Sequence, residues 1–179
     1  FEGMSDLDTL DLRNNLLEVV PGETFHTLVN LRLLYLNNNR ITSINPAWSS
    51  NLGQLTHFFL FSNLITEVPA NAFIGLTRVI QISLNTNQIS KIHDGAFRTL
   101  GSLTTLEFST NLMTTLTPNT FEGLGGLTTL RFNSNQVEVL PDNLFTIFRA
   151  LRILEIRANR LRVVSRNIFS DLGIMALMN

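Results

Sequence analysis

Apolar residues recur along this chain in the order L-x-x-L-x-L-x-x-N-x-L, and the order returns every 24 residues. In the first copy the marks are Leu7, Leu10, Leu12, Asn15 and Leu17; in the seventh they are Leu151, Leu154, Ile156, Asn159 and Leu161. Two later apolar positions complete each copy, Val20 and Leu28 in the first, Val164 and Leu172 in the last. Six positions in seven copies make 42, and all 42 are apolar in a chain that is 44% hydrophobic. Chance would give that about once in 10¹⁵. The copies start at Leu7, Leu31, Leu55, Val79, Leu103, Leu127 and Leu151. Alternation such as Leu10-Asp11-Leu12 predicts a short strand with one buried face. One strand per 24 residues, always in one direction, predicts a parallel stack in which neighbours share a continuous core. The return segments are bulkier than strands about 4.8 Å apart, so the stack is expected to curve, with the strands on the concave side.

Glycine and proline respect the frame. All five prolines follow the Val20-type position by one or two residues, and no glycine falls inside a motif. Both residues weaken strands and collect in connections. Phe1 and Met4 stand one period before Phe25 and Leu28, and Met175 and Met178 stand where an eighth copy would begin. The expectation is a single array over 1–179, with partial repeats at 1–6 and 175–179, cut from a longer one.

Two columns have structural readings. Asn15, Asn39, Asn63, Asn87, Asn111, Asn135 and Asn159 follow the strands, where a tight bend strands backbone groups. A side-chain amide both donates and accepts, so it can satisfy them and link coils. No N-x-S/T sequon occurs, so these are not expected to be glycan sites. Phe25, Phe73, Phe97, Phe121, Phe145 and Phe169 form a second column, read as a packed spine. The second copy departs from it, with Ser49 in place and Trp48 beside it.

Composition narrows the function. Thirteen basic against fourteen acidic residues give a net charge of −1, with no basic stripe; nucleic acid is not an expected partner. Charged residues are only 15%, below the usual quarter or so; Asn, Ser and Thr cover the bends instead. No segment is apolar enough for a bilayer span, and no signal segment opens the chain. There is no cysteine, which excludes disulfides and thiolate sites and, by itself, favours a reducing compartment.

The motif, together with the later F-x-x-L of Phe25–Leu28 and Phe73–Leu76, resembles the 24-residue "typical" class of leucine-rich repeat. It is similar to Toll-like receptors, Slit-type proteins, chaoptin and lamprey variable lymphocyte receptors, as is the V/L-P of Val20-Pro21, Val68-Pro69 and Leu140-Pro141. The resemblance covers the whole chain. It implies a horseshoe solenoid, counted with the α/β class, with irregular or short 3-10 segments rather than long helices on the convex side. It also implies no catalytic residues and no cofactor. The implied function is recognition in a receptor, adhesion or innate-immunity ectodomain, with cysteine-rich caps outside this piece. An extracellular or cell-surface location is the expectation, and a cytoplasmic scaffold stays open.

The outward strand positions hold the candidate site. Leu33, Tyr35, His57, Phe59 and Phe61 gather large side chains on neighbouring strands, and exposed aromatic patches mark interaction sites. They could equally shield one another or pack on a second copy. Glu107, Arg131, Glu155 and Arg157 form a second group. Two carboxylates flanking an arginine fit a charge ladder or polar ligand contacts better than a glycosidase pair, because the cation works against a raised pKa. His26, His57 and His93 lack metal-ligand spacing. The resulting expectation is non-catalytic recognition of a protein ligand, with no metal. A homodimer, a self-associating matrix component or a receptor with signalling domains elsewhere are the alternatives.

Overall fold

In the computed structural model, residues 1–166 together with Ile168 and Phe169 are described. Leu172, Met175, Met178 and the partial repeat at 175–179 lie outside the described residues. Nine short strands form among the described residues: β1 (Thr9–Asp11), β2 (Leu33–Tyr35), β3 (His57–Phe59), β4 (Glu67–Val68), β5 (Gln81–Ser83), β6 (Lys91–Ile92), β7 (Thr105–Glu107), β8 (Thr129–Arg131) and β9 (Ile153–Glu155). Seven of them make one parallel sheet in the order β1-β2-β3-β5-β7-β8-β9. Every pairing joins residues 24 apart, as in Leu34 to Phe58 and Leu106 to Leu130. The fold is a leucine-rich-repeat solenoid without α-helix among the described residues.

The middle residue of each strand points inward and its neighbours point out. Leu34, Phe58, Ile82, Leu106 and Leu130 are almost fully buried. In the second to sixth copies, all six apolar positions are buried. Each such side chain contributes about 1.5–3 kcal/mol. The outer copies have a neighbour on one side only among the described residues. There Leu7, Leu12, Leu17, Ile156 and Leu161 are partly buried, and Val164 is 51% exposed.

The bends explain the small polar column that follows the strands. Asn14, Asn38, Ser62, Thr86, Thr110, Ser134 and Ala158 all have φ between 53° and 59°. This left-handed conformation lets the chain turn inward so that the next residue, the motif Asn, enters the core. Asn tolerates it; a β-branched threonine does so at a cost. A second, smaller parallel sheet pairs β4 with β6, and Val139 bridges Val163 further along. One strand per repeat was the expectation; a second ladder forms where the Val20-type residues Val68 and Ile92 are extended and buried.

In the phenylalanine column, Phe73 and Phe97 stack at 5.9 Å, and Phe25, Phe121 and Phe145 are buried. In the second copy a 3-10 helix, Pro46–Ser49, shifts the aromatic by one residue. Trp48 meets Phe25 edge-on at 6.3 Å and donates its ring N–H to the Val20 carbonyl. The Ser49 hydroxyl, in the vacated position, donates to the Ile74 carbonyl at 2.7 Å.

The left-handed bend makes a direct prediction. Thr110 is exposed at φ 57°, so Thr110→Asn should raise stability by about 1 kcal/mol. The urea midpoint checks this, and a fall would contradict the strain.

Candidate functional site: the open sheet face

The parallel register brings the aromatic candidates together. Leu33 pairs with His57, and Tyr35 with Phe59. The Tyr35 and Phe59 rings stack at 4.9 Å and 13°. His57 lies 6.1 Å from Phe59 and nearly parallel to it, and Phe61 meets Phe59 edge-on at 6.4 Å. The guanidinium of Arg13 sits over the outer side of the group, 5.0 Å from the Tyr35 ring, and is held by Asp11 at 2.9 Å. The result is a row of rings with a cation at its end. All five candidates are half-buried rather than open, because each covers part of its neighbour.

The charged candidates also converge. Arg131 donates from Nη1 to Glu107 Oε1 at 2.9 Å and from Nε to Glu155 Oε1 at 3.0 Å. Asn133 Nδ2 donates to Glu155 Oε2 at 2.8 Å. The hydrogen bonds from Asn133 and Arg131, with the charges of Arg131 and Arg157, hold the Glu155 carboxyl below its usual range. Arg131 is pushed above its usual value, foremost by its bond to Glu155. A carboxyl kept ionised in this way is a poor general acid. Arg157 is exposed beside the group. The expected ladder was an exposed one; its three paired side chains are each no more than about a third exposed, with Glu107 at 19%. The two groups do not merge. Strand β5, with Gln81 and the buried Ser83, runs between them.

A polar seam supports the face. Asn85 Oδ1 accepts the Ser109 N–H at 2.7 Å, Ser109 Oγ accepts the Asn133 N–H at 3.1 Å, and Asn133 Oδ1 accepts the Arg157 N–H at 3.0 Å. The same column holds Asn37, whose buried Oδ1 has no partner where Phe61 follows one turn later. Arg13 and the Asn133 clamp went unselected in the sequence, since neither stands out by residue type. Their signal is column position beside Tyr35 and Glu155.

The histidines stay apart: His93 pairs with Glu67 at 2.8 Å on the second sheet, and His26 meets the Glu23 carbonyl. Among the described residues, no three His, Asp or Glu side chains gather as a metal set, and no helix is long and apolar enough to cross a membrane.

A parallel-strand solenoid with an asparagine in every bend and an open sheet face defines a repeat-built recognition module. The leucine-rich-repeat family model matches residues 1–41, 29–89 and 78–137, and the chain belongs to the leucine-rich-repeat family. In the solved crystal structure of a TLR13–ssRNA13 complex, one chain is similar over 94% of this chain at 27% identity, with a TM-score of 0.79. This chain spans 22% of that chain's length. No curated protein matches the sequence. Proteins of this family and fold are generally non-catalytic.

The Glu155 clamp has a pH signature. A depressed folded-state pKa means that the unfolded chain binds the proton more readily. The clamp's stabilisation is therefore present above the ordinary carboxylate value of 4.5 and is lost as pH falls through the lower folded value. Glu155→Gln should cost stability at pH 6, and the gap to wild type should narrow as pH falls below 4.5. Urea midpoints across a pH series from 6 downward measure it; a gap independent of pH would rule the clamp out.

Proposed function

We propose that the open sheet face recognises a protein ligand without catalysis, with Tyr35, Phe59 and Phe61 as anchors and Leu33 and His57 at their flanks. Glu107, Arg131, Glu155 and Arg157 set orientation and on-rate. The observation that carries this reading is the ring stack itself. Aromatic side chains dominate binding energy at interfaces, and rings pre-packed at 4.9 Å lose little freedom when a partner arrives.

The same geometry favours a protein over a single-stranded nucleic acid, the ligand of the TLR13 structure. Bases bind by stacking on free ring faces. Here one face of Tyr35 is taken by Phe59 and the other side by Arg13. Tyr35 therefore offers its edge, suited to apolar side chains of a partner. The likeness to the TLR13 chain supports an extracellular or endosomal setting.

The test is capture of secreted proteins on immobilised chain, read by quantitative mass spectrometry. Phe59→Ala combined with Phe61→Ala should lower capture of the specific partner at least tenfold. Both side chains are half-buried on the surface of the sheet, so the melting curve should stay cooperative. Unchanged capture by a folded variant would sink the aromatic-anchor reading. Concentration-dependent dimerisation lost in the same variant would replace it with self-association.

A further inference from the structure

The even balance of charge conceals a segregation along the chain. Residues 1–23 carry six acids and one base, Arg13; residues 149–166 carry Arg149, Arg152, Arg157, Arg160, Arg162 and Arg166 and one acid, Glu155. All six of these arginines are exposed. Glu155 is already occupied by Arg131 and Asn133. Among the described residues, the one ion pair these six make is Arg162 with Glu138, at 3.4 Å.

The cations are presented from a fixed backbone. The Arg152 N–H donates to the Thr128 carbonyl at 2.8 Å, the Arg157 N–H to Asn133 Oδ1 at 3.0 Å, and the Arg160 N–H to the Val137 carbonyl at 3.0 Å. Arg149 and Arg152 lie just before β9, Arg157 just after it, and Arg160 and Arg162 past the bend. Together they span 14 residues, a little over half of one 24-residue turn of the solenoid.

We propose that this arginine girdle is a binding site for a linear sulfated polysaccharide. Guanidinium forks bind sulfate oxygens bidentately. Cations spread along more than half a turn suit a polyanion rather than one small anion. A nucleic acid would also need surfaces on which to stack its bases. The open-face residues of β8 and β9 are Thr129, Arg131, Ile153 and Glu155, and none is aromatic. The aromatic row lies four strand spacings from β9, about 19 Å, and its Tyr35 ring is already engaged by Phe59 and Arg13. The girdle therefore offers charge without stacking, and the acidic first turn repels a polyanion from the other end.

The probe is size-defined heparin, with binding measured at 0.05 M and 0.15 M salt. Wild type should bind, and more weakly at the higher salt. The variant Arg149→Ala, Arg152→Ala, Arg160→Ala should lose at least tenfold in affinity. A control with the same change in charge, Arg32→Ala, Arg78→Ala, Arg98→Ala, should lose less than twofold. None of the three girdle positions lies among the open-face candidates, so protein capture by the aromatic row should be unaffected. Melting curves establish that both variants fold. Equal losses in the two variants, no binding by wild type at 0.05 M salt, or tighter binding of a length-matched single-stranded RNA than of heparin would each overturn the proposal.

Discussion

Between each pair of successive turns, one side-chain amide closes three hydrogen bonds that the backbone cannot close for itself. Asn87 donates to the Leu60 carbonyl of the preceding turn at 3.0 Å and to the Leu84 carbonyl of its own at 3.1 Å, and accepts the Ile65 N–H at 3.0 Å. Asn111 repeats this with Leu84, Phe108 and Ile89, and Asn63 with Leu36, Leu60 and Ile41. Without the Asn87 amide, the Ile65 N–H would be buried unpaired at about 1–3 kcal/mol, and the Leu60 and Leu84 carbonyls would each lose one of two amide donors and keep the other, from Asn63 and Asn111. Other residues in the bend are chosen around this contact. The residue before each Asn turns left-handed to deliver the amide inward, and the apolar positions on either side seal it from water.

Because each amide joins residues 22 and 27 apart, it also locks the spacing of the turns. A slipped register would misplace every donor at once. That lock is what makes the open face predictable in columns. It brings Tyr35 onto Phe59 and Arg131 between two carboxylates, although each partner is a full turn away in sequence. Recognition on this face thus rests on a scaffold whose own chemistry is uniform; the ligand-facing residues vary without disturbing it.

Much of this was legible in advance because the repeat is periodic. Strand positions, the inward column, the buried Asn and Phe columns and the two candidate clusters all follow from the 24-residue frame. What the frame could not show came from geometry inside a turn. The left-handed φ at Thr86 and Thr110 contradicts the preference of threonine, so only the backbone reveals it. Glu67–Val68 and Lys91–Ile92 are too short to announce a second ladder. The 3-10 helix that lets Trp48 replace a phenylalanine depends on Asn45 capping the Ala47 N–H, a local contact outside the motif. The segregation of charge between the ends was visible in the sequence but was averaged away by a net charge of −1; counting charge turn by turn recovers it.

The central claim is that the asparagines hold turn to turn, and one comparison tests it. Asn15 is exposed and bonds within its own turn, to the Leu12 and Arg13 carbonyls; Asn87 bonds across turns. Equilibrium urea unfolding of Asn87→Ala should show a loss of about 2 kcal/mol or more, while Asn15→Ala should lose less than about 1 kcal/mol. Equal losses at the two positions would contradict the account.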